Sequence, residues 1–297
     1  MIKHDSDKQF KTLEMREYHK IKKMRNYQEN PLTATSEKSI FSWSRYYDFV
    51  GCGNENFEVI YSRKLHRFMY PFGDIQEGMK FIRELDWLPE EKNFCFLSKC
   101  QADILAEKGY RIRADRDSDE YIYDTRELSL NTGKVSVNFK RKCIKFAKKY
   151  EYIVRKIDQE WLRLYLEEQY QKKQEEVRWM LRHFEEYEMS GIEITDKDES
   201  AYIFGYENTE DIFTLTGIDY TKGFGADVVS VCIHEMAKLL HGKYRYIDLE
   251  EDMGIEGLRR MKMLYKPVFM LEAFYADYGD NTYQSGERKI LLPEDVS

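Results

Sequence analysis

A chain of 297 residues with 42% hydrophobic and 15% aromatic content exceeds the usual one-domain size of roughly 100 to 200 residues and can fill two cores. Its formal charge of -7 excludes a general polyanion-binding surface, because non-specific nucleic-acid affinity comes mainly from Lys and Arg neutralising phosphates; a local basic patch stays open. Five widely spaced cysteines with no C-x-x-C pair argue against a disulfide framework or a zinc site, and the absence of about 18 consecutive apolar residues leads to the expectation of a cytoplasmic protein.

Residues 1–30 interleave cations with Phe10, Leu13, Tyr18, Ile21 and Met24 at roughly helical spacing, which predicts a short basic amphipathic helix or arm. A first lobe over 31–150 follows, with strands at Phe57–Tyr61, Asn93–Ser98 and Glu120–Asp124 and helices at Ile75–Trp87 and Lys99–Lys108. Gly109 stands where a glycine just past a helix end belongs. From Gly133 onward, Phe139, Cys143, Phe146 and Tyr150 recur at three- and four-residue steps among lysines, the pattern of a basic amphipathic helix.

The second lobe, 151–297, opens with a helical stretch from Asp158 to Met189 that Gly191 would stop. Strands at Ala201–Tyr206 and Ile212–Ile218, a glycine loop, a helix over Ala226–Leu240, a strand at Tyr244–Leu249 and a helix near Ile255–Tyr265 complete a mixed α+β order. The two halves share this coarse order without a sequence period, which suggests a structural duplication.

Three segments can carry chemistry. The loop Tyr220–Ala226 (YTKGFGA) would let Lys222, Gly223 and Gly225 bring backbone N–H groups and a helix start to an anion such as a pyrophosphate, in the manner of the acyl-CoA loop of GNAT acyltransferases. Tyr220 occupies the position of that loop's Arg or Gln, and Asp227 puts a negative charge in the first turn; a plain connection is the alternative. The second segment delivers Glu250, Glu251 and Asp252 at a strand exit, with Arg259, Lys262 and Lys266 at helical spacing beyond. Carboxylates beside such cations suit a general base with an anion clamp, or a surface salt-bridge cluster. The third is the basic helix, including Lys140 and Arg141, which would line a phosphate groove or be a solvated face. The six histidines show no metal-ligand spacing and the serines no G-x-S-x-G elbow.

Glu120–Asp124 (EYIYD), Leu128, Gly133-Lys134, the basic stretch to Phe146 and, above all, Glu251–Pro267 (EDMGIEGLRRMKMLYKP) together resemble the phosphatidylglycerol lysyltransferase C-terminal domain family, with Pro71-Phe72-Gly73 as a weaker match. The resemblance covers roughly residues 30–280 and departs from the family where Lys142 follows Lys140-Arg141 in place of Asn. It implies two tandem GNAT-like lobes, with mixed sheets flanked by helices, and transfer of an aminoacyl group from aminoacyl-tRNA to a lipid headgroup, or in relatives to a peptide. On that basis Glu251 or Asp252 is expected to activate an amine or hydroxyl acceptor. Arg259 and Lys262 would hold an anionic part of donor or acceptor, and Tyr265 would protonate the leaving group. Lys222, Gly223, Gly225, Lys140 and Arg141 would serve the donor. No tightly bound cofactor is expected, only a donor that is aminoacyl-tRNA or acyl-CoA. The acceptor expected is a small molecule, a lipid headgroup or a peptide, and the competing readings are an acetyl-CoA-dependent N-acetyltransferase, which differs only in donor, and a non-catalytic binding or regulatory module on the same scaffold.

Overall fold

The structure, a computed structural model, describes residues 10–85, 92–133, 135–169 and 175–278. Lys134, the end of the helix expected to reach Trp87, and the first nine residues of the arm lie outside them. The strands are β1 (Lys11–Thr12), β2 (Phe49–Gly53), β3 (Phe57–Ser62), β4 (Arg67–Phe68), β5 (Phe72–Gly73), β6 (Phe94–Leu97), β7 (Tyr110–Ala114) and β8 (Glu120–Asp124), then β9 (Ile153–Lys156), β10 (Ser190–Asp196), β11 (Glu199–Glu207), β12 (Ile212–Tyr220), β13 (Tyr246–Asp248), β14 (Phe269–Leu271) and β15 (Phe274–Tyr278). The helices are α1 (Met15–Met24), α2 (Glu37–Ser42), α3 (Ser44–Tyr47), α4 (Ile75–Glu84), α5 (Lys99–Glu107), α6 (Thr125–Leu130), α7 (Val137–Lys149), α8 (Gln159–Gln169), α9 (Glu175–Arg182), α10 (Val228–Leu240) and α11 (Glu256–Leu264).

The strands form two sheets. The first runs β1-β2-β3-β4-β6-β15-β7 with β5 on β3, and the second β14-β8-β13-β12-β11-β10-β9. The second is antiparallel except where β12 and β13 run parallel over only three pairs, Ile212↔Tyr246 to Thr214↔Asp248. Beyond them β12 continues to Tyr220 while the chain after Asp248 turns away, so the sheet splays between these two strands.

Period-two alternation assigns the faces of the second sheet. Tyr121, Tyr123, Ile192, Ile194, Ala201, Ile203, Phe213, Leu215 and Ile247 bury one face against α6, α7 and α10. The intervening Tyr202, Phe204 and Tyr206 face the other way, toward α8, α9 and the N-terminal helices. Helix ends follow local chemistry. Ser98 and Gln101 form a reciprocal cap at the start of α5, and Gly109 takes φ +86 just past its end.

The N-terminal segment is docked onto the body. Tyr18 stacks on Tyr187 at 4.9 Å, and the fully buried Arg25 donates to Asn208 Oδ1 at 2.8 Å and to the Leu32 carbonyl at 2.9 Å. Three expectations are corrected. A division of the lobes at residue 150 does not follow the sheets, since β8 lies inside the second between β14 and β13, and β15 returns to the first between β6 and β7. The stretch from Asp158 to Met189 is not one described helix: α8 ends at Gln169, residues 170–174 lie outside the described set, and α9 ends at Arg182. Gly191 stops no helix. It sits inside β10, where a Cβ would come within 2.7 Å of Ile157 and of the Ile203 carbonyl. A strand with one residue face-to-face with its neighbour's backbone reads as a break when only the sequence is seen.

Gly217 pairs with Phe204 across β11 and β12, and a Cβ there would lie 2.2 Å from the Phe204 ring. Gly217→Ala is expected to displace the ring at a cost of about 1–3 kcal/mol. Thermal denaturation should show a lowered melting temperature, whereas Gly257→Ala, which meets no atom within 4 Å, should leave it nearly unchanged.

Candidate active site at the splayed strands

The same alternation that buries Tyr121, Ile247, Phe213 and Leu215 turns Glu120, Asp248 and Thr214 to the opposite face, where all three are almost fully buried. The N-terminal segment closes over them. Thr33 donates its amide to Glu120 Oε1 at 2.7 Å and its hydroxyl to Asp248 Oδ2 at 2.8 Å, while Thr214 donates to the same Asp248 oxygen at 3.0 Å. Asp248 Oδ1 accepts the Glu250 amide at 2.7 Å. Glu120 Oε2 is buried with no hydrogen-bond partner among the described residues. Burial raises the affinity of all four neighbouring carboxyls for their protons. For Glu120 the Asp248 and Glu251 charges add to it; for Glu250 the Glu251 and Asp248 charges bring the value to about 8. Asp248 and Glu251 are also raised, against the pull of Thr33 and Lys262 respectively. A solvent-shielded group of like charges that resists ionisation is a chamber suited to a cation.

The loop that carries these acids is built around Lys262. Its ammonium donates to the carbonyls of Leu249, at 2.5 Å, Glu250, at 3.1 Å, and Glu251, at 2.5 Å, which occupies its three protons. Burial lowers its pKa, and the Glu251, Glu250 and Asp248 charges oppose that. Lys262 therefore shapes the loop and has no proton left for a substrate anion, contrary to expectation. Glu250 and Met253 hold left-handed backbone, with φ of 58 and 54, which the tight wrap around the ammonium requires.

Asp252 is likewise committed. Its oxygens accept Arg259 Nε at 2.9 Å and Nη2 at 2.8 Å, Tyr121 Oη at 2.5 Å, Arg116 Nη1 at 3.3 Å and the Gly254 amide at 2.9 Å. Burial would raise its pKa, but the Arg259 and Tyr121 hydrogen bonds outweigh it and hold the carboxyl below its usual range. A fully hydrogen-bonded carboxylate of depressed basicity is a poor proton acceptor. The geometry gives Asp252 and Arg259 the work of pinning the loop to β8 and to Asp117, which Arg259 Nη2 reaches at 2.6 Å. Tyr265 is buried too: its hydroxyl lies 2.8 Å from Ser230 Oγ on α10, and burial pushes its pKa up, so it ties α11 to α10. Glu251 is half-buried beside these groups and remains near the chamber.

The glycine loop leaves the end of β12 on the same edge of the sheet as the acid loop leaves β13. Its amides are used internally, Phe224 N to Thr221 O and Gly225 N to Lys222 O, each at 3.2 Å. Gly225 has φ +67, and at Gly223 a Cβ would meet the Glu199 carboxylate at 2.0 Å. Lys222 is exposed. Phe224 packs edge-on to Phe146 and Tyr150 at 5.1 Å, so the loop is clamped to α7. The α7 cations reaching this region are not Lys140 and Arg141. They are Lys145, 3.2 Å from Asp227, Lys142, 6.0 Å from the Tyr265 ring, and Lys149, bonded to Tyr150, whose hydroxyl donates to Gly223 O. Positions 142, 145 and 149 fall within about 60° on the helix, with Lys140 on the opposite side and Arg141 at the margin, one i,i+4 step from Lys145. Glu120, Asp248 and Thr33 were not singled out as site residues by spacing, because they converge from strands and a turn far apart in the chain.

A mixed sheet splayed at one parallel pair, a helix starting behind a glycine loop and a second sheet of similar make define a tandem GNAT-like acyltransferase fold. The chain belongs to the phosphatidylglycerol lysyltransferase C-terminal family, which matches residues 32–277. Among solved structures, a conserved protein of unknown function from Bacteroides thetaiotaomicron is 22% identical with a TM-score of 0.78, covering 91% of this chain and 99% of that one. The C-terminal domain ascribed to a lysylphosphatidylglycerol synthetase of Agrobacterium fabrum is 12% identical (TM-score 0.65, 89% and 92% covered). L-PGS from Bacillus licheniformis is 14% identical (TM-score 0.54, 80% and 86% covered). At such identities the likeness shows the fold alone. No curated protein matches the chain, and among the described residues no helix is long and apolar enough to cross a membrane.

Because the folded-state pKa of Glu120 is raised, its neutral form contributes stability that is full below the unfolded value of about 4.3 and is lost as pH rises toward the folded value. Glu120→Gln keeps an oxygen for the Thr33 amide and cannot ionise. Its melting temperature is expected to match the parent near pH 4 and to exceed it at pH 8; equal melting curves at both pH values would contradict the burial argument.

Proposed function

We propose that the chain is an aminoacyltransferase that moves an aminoacyl group from aminoacyl-tRNA to an amine or hydroxyl acceptor. The observation that carries this reading is the carboxyl cluster of buried Glu120 and Asp248 with half-buried Glu250 and Glu251, and Glu120 Oε2 without a partner among the described residues, at the splayed end of β12 and β13. An acetyl group has nothing to offer such a chamber. An aminoacyl group brings an ammonium, which would fill the empty acceptor position and offset the crowded negative charge. The family supports the same donor class. The glycine loop, with two of its amides closing its own turns and Asp227 at the helix start, gives less support to a CoA pyrophosphate.

In this reading the acceptor's N–H or O–H passes its proton to Glu250 or Glu251 as the nucleophile adds to the ester carbonyl. Collapse breaks the bond to the ribose oxygen, which takes a proton back from the same carboxyl. Asp252, Arg259, Arg116 and Lys262 hold the loop in place for this transfer, and such positioned acid–base help is worth about 10²- to 10⁴-fold.

Lysyl-tRNA incubated with the protein and a panel of amines and hydroxyl compounds should lose its label to one of them. For the free enzyme, kcat/KM should rise with pH and level off above about 8, the Glu250 value. Glu250→Gln should lower the plateau by two orders of magnitude or more. Consumption of acetyl-CoA in place of lysyl-tRNA would overturn the donor assignment, and consumption of neither would overturn the enzyme.

A further inference from the structure

A second cavity, of about 660 Å³, opens on the same face of the second sheet, where α8 crosses β9 to β12. It belongs neither to the carboxyl chamber nor to the acid loop. Thr214 of the chamber and Asp219 of the cavity both lie on β12 and face the same side across the register shift at Gly205; their partners Tyr206 and Tyr202 are four residues, or about 13 Å, apart along β11.

Its walls are aromatic. Trp161 and Tyr165 stack at 4.6 Å with an interplanar angle of 10°, and Tyr202 meets them edge-on at 5.4 and 5.0 Å. The Tyr165 hydroxyl donates to that of Tyr202 at 2.7 Å, which fixes the cluster. Tyr220 forms a further wall, and apolar surface is left open in the lining: Leu164 is 44% exposed and Tyr220 37%. Carboxylates outnumber cations around the cavity, with Asp158, Glu160, Glu193 and Asp219 against Arg155 and Lys156. Asp158 is partly used, since it caps the Trp161 amide at 2.9 Å. Glu193 stands opposite Arg155 in the β9–β10 register, yet makes no hydrogen bond or ion pair among the described residues.

The geometry points to a binding site for an organic ammonium on an apolar stem. Ring faces are negative and attract cations, the Glu193 carboxylate adds to that attraction, and the exposed side of Leu164 accepts the stem; an anion would meet repulsion from the rings and the carboxylate. The cavity lies away from Glu250 and Glu251, so its capacity to bind an ammonium depends neither on the transferase reading nor on turnover.

Calorimetric titration of the whole chain with hexylammonium chloride, and with sodium hexanoate as the anionic counterpart, tests the site. Hexylammonium is expected to bind saturably and at least tenfold more tightly than hexanoate. Glu193→Gln should weaken it about tenfold, Tyr220→Leu several-fold with the charge unchanged, and Glu120→Gln less than twofold, with melting curves confirming that each variant is folded. The assignment is overturned by absent or equal binding of the two probes, by full affinity in Glu193→Gln, or by loss of binding in Glu120→Gln, which would place the ammonium in the carboxyl chamber. A protein that binds hexylammonium this way but transfers nothing from lysyl-tRNA would keep the site and lose the transferase.

Discussion

Three backbone carbonyls converging on one buried ammonium, that of Lys262, set the shape of the candidate active site. An ammonium buried without partners would cost several kcal/mol, so the loop from Leu249 to Glu251 must wrap around it. The wrap forces left-handed backbone at Glu250 and brings Glu250, Glu251 and Asp252 to successive positions around the same point. Asp252 then locks the loop from outside through Arg259, Arg116 and Tyr121. The charged residues thus separate into a framework, Lys262 and Asp252 with their hydrogen bonds made, and a chamber in which Glu120 Oε2 is buried without a partner among the described residues.

That division makes the electrostatics intelligible. Asp252, surrounded by donors, is held ionised, while Glu120 and Glu250, surrounded by other acids, hold their protons. Carboxyls a few residues apart in the chain are driven in opposite directions by environment alone. The fold tolerates this because the chamber sits where β12 and β13 separate, so no ladder hydrogen bond is sacrificed to admit it.

The N-terminal segment is part of this arrangement. Thr33 supplies hydrogen bonds to Glu120 and Asp248, and Arg25 bonds to Asn208 at the β11–β12 turn, so the stretch that follows α1 closes the chamber of the second sheet. The crossing of β8 into the second sheet and of β15 back into the first joins the lobes covalently at several points.

Local pattern determined most elements of this protein by itself: β8, α5, α7 and α10 lie close to where alternation, helical spacing and the glycine at 109 put them. It also brought forward Asp252 and Arg259, which do meet, and Glu251 and Lys262, which share one loop. Tertiary structure alone decided which sheet each strand joins, because a strand's alternation says which face is buried and not which neighbour it pairs with. It decided equally that Lys262 and Asp252 are framework and that Glu120, Asp248 and Thr33 form the chamber. The chamber's hydrogen bonds join Thr33 to groups 87 and 215 residues away in sequence, and no spacing rule spans that distance; Lys262 finds its carbonyls only 11 to 13 residues back, but spacing cannot show that they take up all its protons.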